Sequence, residues 1–216
     1  MIYRVRKSWA DAKSQIGAYK NLENAKKAAD KKAGYKVYDE SGKLVYTGKK
    51  AVTIIDKEIS ACKTQAEYMK NYKYGWERDP TVKKSKKKGT CVTFVSCVLQ
   101  RIGYLKSGQY IWHDGKGYGT GKVYGTNSKM KTIYMDNKTF KACKSKLKKG
   151  DIVLVDDNKS GISGSGGHIM IFAGKWSKLG NPYIYDNHSA ERVKAGKKPM
   201  HTYGKGRKIL AIVRPK

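Results

Sequence analysis

Thr90-Cys91-Val92-Thr93-Phe94-Val95-Ser96 is the stretch on which the reading of this chain turns. From it Val92, Val95, Leu99 and Ile102 continue at spacings of three and four, with Phe94 and Val98 beside them and Gly103 at the end. That periodicity predicts a helix that opens at Cys91 and is buried on most of its sides. At a helix start the first N–H groups lack partners and the dipole presents its positive end, a setting that favours a thiolate. The run Lys83-Lys84-Ser85-Lys86-Lys87-Lys88-Gly89 just before it adds positive potential, a contribution that solvent keeps small. Cys97 lies six residues further on, hence about 240° around the helix and on another side. Only one of the two can face a shared cleft, so Cys91 is the candidate nucleophile and Cys97 a core residue.

On the N-terminal side of this helix, Val52, Ile55, Ile59, Cys62, Ala66 and Met69 predict another, ending near Asn71, with Cys62 on its apolar face as a small buried hydrophobe. An aromatic turn follows, Tyr72-Lys73-Tyr74-Gly75-Trp76. On the C-terminal side, residues 104 to 140 are rich in Gly, Tyr and Lys without a period and read as long loops. Lys149-Gly150-Asp151 is a turn into a buried strand, Ile152-Val153-Leu154-Val155. A glycine-rich loop, 161–167, feeds the strand His168-Ile169-Met170-Ile171-Phe172. Tyr183-Ile184-Tyr185-Asp186 and Ile209-Leu210-Ala211-Ile212-Val213 supply two more. Helices first and an antiparallel sheet afterwards predict an α+β domain over 51–216. Residues 1–50 read as a small separate α/β module, with short strands at Ile2–Val5 and Gln15–Tyr19, a helix opening at Asn21 and stopping at Gly34, and a hairpin through Glu40-Ser41-Gly42-Lys43.

A thiol nucleophile needs a base, and His168 is the natural one, at the entrance of a strand that is otherwise apolar. Along that strand His168, Met170 and Phe172 share one face, while Gly167 before it leaves room for a substrate backbone. A third group holds the imidazole in the right tautomer, and the candidates cluster in Asp186-Asn187-His188. Asp186 ends the strand after that of His168 and is preferred, with Asn187 and His188 in reserve; as a strand-ending turn residue it has an alternative role. His113 and His201 fall in loop-like sequence and read as solvated.

Lys plus Arg number 47 against 17 Asp plus Glu, a formal charge of +30. That charge selects anionic partners: nucleic acid, a membrane surface or an acidic wall polymer. Lysine dominates over arginine, which suits diffuse attraction better than base reading, so nucleic acid is expected only as a non-specific partner. No apolar run reaches the roughly 18 to 20 residues of a membrane span, and Met1-Ile2-Tyr3-Arg4-Val5-Arg6 has no signal-peptide core. Cys62, Cys91, Cys97 and Cys143 form no CxxC pair and the four histidines stand apart, so free thiols, no metal site and no cofactor are expected.

Tyr74-Gly75, Cys91-Val92-Thr93-Phe94-Val95, Gly150-Asp151-Ile152-Val153, Gly167-His168 and Asp186 come in an order that resembles the NlpC-type cell-wall cysteine peptidases, a papain-like family, over residues 55 to 216. The resemblance implies a Cys91-His168-Asp186 thiol mechanism on an amide of the cell-wall peptide, with Tyr74, Thr90 and Gly167 lining the substrate cleft. Thr90 stands where that family has an acidic residue that reads a free amino terminus, and Thr93 where it has a glycine. Specificity for a free L-Ala end is therefore not implied, and both an endopeptidase and an N-acetylmuramoyl-L-alanine amidase remain open. Gln15-Ile16-Gly17-Ala18-Tyr19 with Asn21-Leu22-Glu23-Asn24-Ala25 resembles the SPOR-type wall-binding modules. Together these imply an endolysin-like peptidoglycan hydrolase from a phage setting, made in the cytoplasm and released through a holin onto the peptidoglycan and anionic polymers of a Gram-positive wall. A basic nucleic-acid-binding protein without catalysis and a papain-like effector acting on protein amides are the alternatives.

Overall fold

Val5 and Val37 on neighbouring strands meet Ala25 and Ala29 from one helix, and these four buried residues are the core of the first of two units, Met1–Thr53. In the computed structural model residues 1–49, 52–75, 88–113, 122–156 and 167–216 are described. The first unit runs β1 (Tyr3–Arg6), β2 (Gly17–Tyr19), α1 (Leu22–Asp30), β3 (Lys36–Tyr38) and β4 (Leu44–Thr47), in the antiparallel order β2-β1-β3-β4. Helix α1 starts where Asn21 accepts hydrogen bonds from the N–H groups of Glu23 at 2.8 Å and Asn24 at 3.2 Å. Ala25 and Ala29 are one turn apart, and their small side chains bring the helix close to the sheet.

The second unit, Ile54–Lys216, opens with α2 (Ile54–Met69), whose buried face includes Ala61, Cys62, Ala66 and Met69. Two short strands, β5 (Lys73–Tyr74) and β6 (Lys88–Gly89), pair in parallel and lead into α3 (Cys91–Arg101). A Cβ at Gly89 would stand 2.5 Å from Met69 Cε, so a larger residue there would push the end of that methionine aside. Next come β7 (Trp112–His113) and β8 (Val123–Tyr124), with Trp112 and Tyr124 stacked at 4.8 Å. The chain continues through β9 (Met130–Thr139), β10 (Ile152–Asp156), β11 (Gly167–Trp176), β12 (Pro182–Tyr185), α4 (His188–Lys194), β13 (His201–Thr202) and β14 (Lys208–Pro215). Six of these strands form an antiparallel sheet in the order β13-β12-β11-β10-β14-β9.

Alternation sorts that sheet into two faces. Ile152, Leu154, Ile169, Ile171 and Val213 join the cluster built with α2 and α3, while Val153, Val155, Met170, Phe172 and Ile212 join a second cluster with Phe140, Cys143 and Leu147. Ile209 and Ala211 share a parity yet belong to different clusters, because the pairing of β14 slips between them. The turn before β10 is set by Gly150 at φ +84°, a backbone that side chains disfavour. The adjoining Asp151 is buried and receives both Nε and Nη2 of Arg214 at 2.7 Å, plus the Lys148 N–H at 2.7 Å.

The fold is thus mixed α and β with antiparallel sheets. It departs from the sequence reading at three places. Residues 104–140, read as loops, contain β9, β7 and β8; among the described residues β9 has its partner on one side only, and its mixture of Lys, Thr and Tyr with apolar residues hid its period. Helix α4 is two turns long and too polar to show a periodic stripe. His113 is a partly buried strand residue rather than a solvated one. The Lys83–Lys87 run, Trp76, Asp114-Gly115 and the 161–166 loop lie outside the described residues. All four cysteines are buried free thiols, and among the described residues no helix is long and apolar enough to cross a membrane.

Candidate active site

Cys91 is the first residue of α3, and the turn that puts it there is a reciprocal cap. Thr90 Oγ1 accepts the Thr93 N–H at 3.4 Å, and Thr93 Oγ1 accepts the Thr90 N–H at 3.1 Å. Thr90 and Thr93 are therefore one device. The Thr90 side chain is buried and engaged in the cap, and the backbone N–H of Cys91, at the first position of the helix, has no intrahelical partner.

His168, near the start of β11, lies across the sheet from the end of β12, where Ile171 pairs with Tyr185. His168 Nε2 donates to Asp186 Oδ2 at 2.7 Å, and the Cys91 thiol is within hydrogen-bonding reach of the same ring. With Nε2 committed to the carboxylate, Nδ1 is the nitrogen left for the thiol. The ring is also stacked on Tyr203 at 5.7 Å and 13°. Cys91 and Asp186 thus both meet the His168 ring.

Asp186 is completely shielded from solvent and well supplied with donors. His168 Nε2 serves Oδ2, while Oδ1 accepts His201 Nε2 at 2.8 Å and the His188 N–H at 2.9 Å. The Asp186 N–H donates to Ser189 Oγ at 3.0 Å, which ties this strand end to the first turn of α4. Burial opposes its charge, yet the two imidazoles overcome that penalty and hold its carboxyl far below the usual carboxylate range. Burial likewise disfavours a charged His168, but Asp186 and the Cys91 sulfur outweigh it and push the imidazole up to about 10. A thiol beside an imidazole oriented by a carboxylate is an arrangement that can attack a carbonyl carbon and then protonate a leaving group.

His201, read as solvated, is instead a member of this cluster, with its side chain only 16% exposed. It sits on β13, a two-residue strand paired with β12 through Ile184, and its Nδ1 faces Thr202 O at 3.2 Å. Two residues carry no period, so its sequence held no signal of this role; the same is true of Tyr203. His188 points outward to Glu191 and Asn187 leads into α4, so neither orients His168. Tyr74 is 78% exposed beside Gly89, two residues before Cys91. Gly167 starts β11, where a Cβ would meet only Val155 O at an ordinary 3.6 Å, so nothing in the described chain demands a glycine there.

Burial drives the Cys62 and Cys143 thiols above their ordinary range, and Cys97 is buried inside α3. Among the described residues no group of three or more His, Cys, Asp and Glu is arranged to hold a metal ion. No family model, no curated protein and no solved structure matches this chain.

Proposed function

We propose that the chain is a cysteine hydrolase of peptidoglycan, with a papain-like second unit and a wall-binding first unit. The observation that carries this reading is the line from the Cys91 thiol through His168 to the buried Asp186 carboxylate, at 2.7 Å on the carboxylate side. A helix bearing its thiol at the first turn, packed on an antiparallel sheet that presents the base, supports the papain-like assignment. One helix on a four-stranded sheet is in keeping with a small accessory binding module.

The Cys91 thiolate attacks the carbonyl carbon of a wall-peptide amide, and a C–S bond forms as the carbonyl electrons move to oxygen. The free N–H of Cys91 at the helix start is placed to bind that oxyanion. Collapse breaks the C–N bond while the His168 imidazolium gives its proton to the leaving amine. Neutral His168 then takes a proton from water, the resulting hydroxide attacks the thioester, and the thiolate leaves. Asp186 holds the ring through both proton transfers, and the +30 charge draws the protein to an anionic wall.

Purified Gram-positive walls test this reading. Wild type is expected to lower turbidity and release products whose masses identify an endopeptidase or an amidase, and Cys91→Ala to do neither. Absence of any new amine or muropeptide from every wall type overturns it. The charge alone would also suit a nucleic-acid-binding protein, for which tight salt-dependent binding would survive Cys91→Ala with no hydrolysis by wild type.

A further inference from the structure

The first unit has an open cavity of about 380 Å³ between α1 and β2, with Ile16, Tyr19 and Ala28 as a half-buried apolar floor and Lys27, Lys31 and Lys32 as an exposed rim. That volume is in the range of small-ligand sites. The floor is fixed from beneath, because its three residues pack against the core of Val5, Ala25, Ala29 and Val37. A Cβ at Gly17 would stand 2.6 Å from Tyr19 Cε2 and Oη, so the glycine lets the Tyr19 ring lie back along β2. The rim is cationic without an internal counter-charge. Both carboxylates of α1 are engaged elsewhere: Glu23 accepts from Lys26 Nζ at 2.7 Å, and Asp30 accepts the Tyr46 hydroxyl at 2.9 Å and the Lys49 N–H at 2.7 Å. Lys27 and Lys31 meet no carboxylate among the described residues. One cation suits the negative end of a helix, but two that are one turn apart repel each other, and an anion between them removes that repulsion.

We propose that this cavity binds a polyol-phosphate chain of the wall, with its phosphodiester groups on Lys27 and Lys31 and the carbon backbone of one repeat against Tyr19 and Ile16. The proposal rests on the wall-binding reading of the first unit and names its ligand. The rim cations are all lysines, which hold phosphate as point charges, whereas planar bidentate capture of a carboxylate calls for arginine. A nucleic acid needs a series of aromatic faces for its bases, and this cavity offers a single ring. A lipid surface needs apolar side chains that enter it, and none of the exposed large apolar residues described belongs to α1. A phosphodiester chain with short carbon links needs spaced cations over a small apolar floor, and both are present.

The test is calorimetric titration of the full-length Cys91→Ala protein with a synthetic glycerol-phosphate oligomer, a single-stranded oligonucleotide of equal charge, and phosphatidylglycerol vesicles. Adding Lys27→Gln with Lys31→Gln, at exposed sites that do not endanger folding, is expected to weaken the glycerol-phosphate oligomer about 10-fold. Lys13→Gln with Lys43→Gln removes the same charge from residues that do not line the cavity, and should change that affinity by no more than about twofold. The Cys91→Ala protein should also sediment with intact walls and lose that binding on walls stripped of phosphodiester-linked polymers by hydrofluoric acid. Equal effects of the two double variants, unchanged affinity in the first, or tighter binding of the oligonucleotide or the vesicles than of the oligomer would each overturn the site. Equal retention on stripped and intact walls overturns it while the wall-binding reading stands, and no retention on either takes down both. If walls and oligomer are bound as expected but wild type releases no product, the hydrolase reading falls and the site stands.

Discussion

Asp186 and Glu58 are both fully shielded from solvent in the same unit, yet their carboxyl groups end in opposite states. Asp186 meets two imidazole donors and a backbone N–H, and is held as an anion. Glu58, on the buried face of α2, has no donor at either oxygen among the described residues. Burial and the nearby negative Asp151 push it up to about 8, so it is a neutral acid at pH 7. The lesson is that depth alone does not decide a carboxylate's charge; the donors buried with it do. An anion with its donors orients the His168 imidazole. An acid without them only burdens the core.

The sharpest way to break the comparison is to take the charge from Asp186. Asp186→Asn keeps the shape but cannot serve two imidazole donors, and wall hydrolysis is expected to fall by about 10³- to 10⁴-fold. A loss under tenfold in the initial rate would remove Asp186 from the mechanism. Asp151 is a third buried carboxylate, with its charge met by Arg214 and the Lys148 N–H. Removing it as Asp151→Ala leaves a guanidinium that is 24% exposed and still donates to Lys146 O, and should cost about 1 to 3 kcal/mol in urea unfolding.

Glu58 offers the opposite sign. The folded chain holds its proton up to about 8, whereas the unfolded chain releases it near 4.5. Stability therefore declines as pH rises between those values, by about 3 kcal/mol at pH 7. Glu58→Met should remove that decline and raise the urea midpoint at pH 8, where a parallel fall in both proteins would contradict it. The site behaves differently over the same range. The His168 contribution is fully present below 6.5 and is lost as pH rises through about 10, while that of Asp186 is present above 3.8 and is lost as pH falls below it. A histidine NMR titration should find His168 still charged at pH 8.

His201 gives the smallest and finest test. His201→Phe deletes one of the three donors and moves Asp186 a step toward the condition of Glu58. It should cost about 1 to 2 kcal/mol in stability and about tenfold in wall hydrolysis. His201→Gln, which can still donate, should recover most of both; equal losses in the two variants would assign His201 to packing.

These contrasts also mark how far the sequence could be read. The stripe from Val92 to Ile102 is legible because α3 is buried on nearly every side, and Ile169 to Phe172 because β11 is apolar on both faces. Placing Asp186 beside His168 needed only two consecutive antiparallel strands. What could not be read has local reasons. Strand β9 is polar and among the described residues is paired on one side only, α4 is two turns long, and β13, which carries His201, is a two-residue strand. The orphaned states of Glu58 and Asn187 lie still further from the sequence, since the lack of a donor is a property of neighbours brought together by folding.

The central claim is that Cys91, and no other thiol, attacks the wall amide. Limiting iodoacetamide followed by peptide mapping, with wall-lytic activity measured on the same samples, tests it most directly. Cys62, Cys97 and Cys143 are more deeply buried than Cys91, so the account expects Cys91 to be labelled first, with activity falling in step with its occupancy. Lysis that persists after Cys91 is fully alkylated, or that disappears while Cys91 is still free, would contradict it.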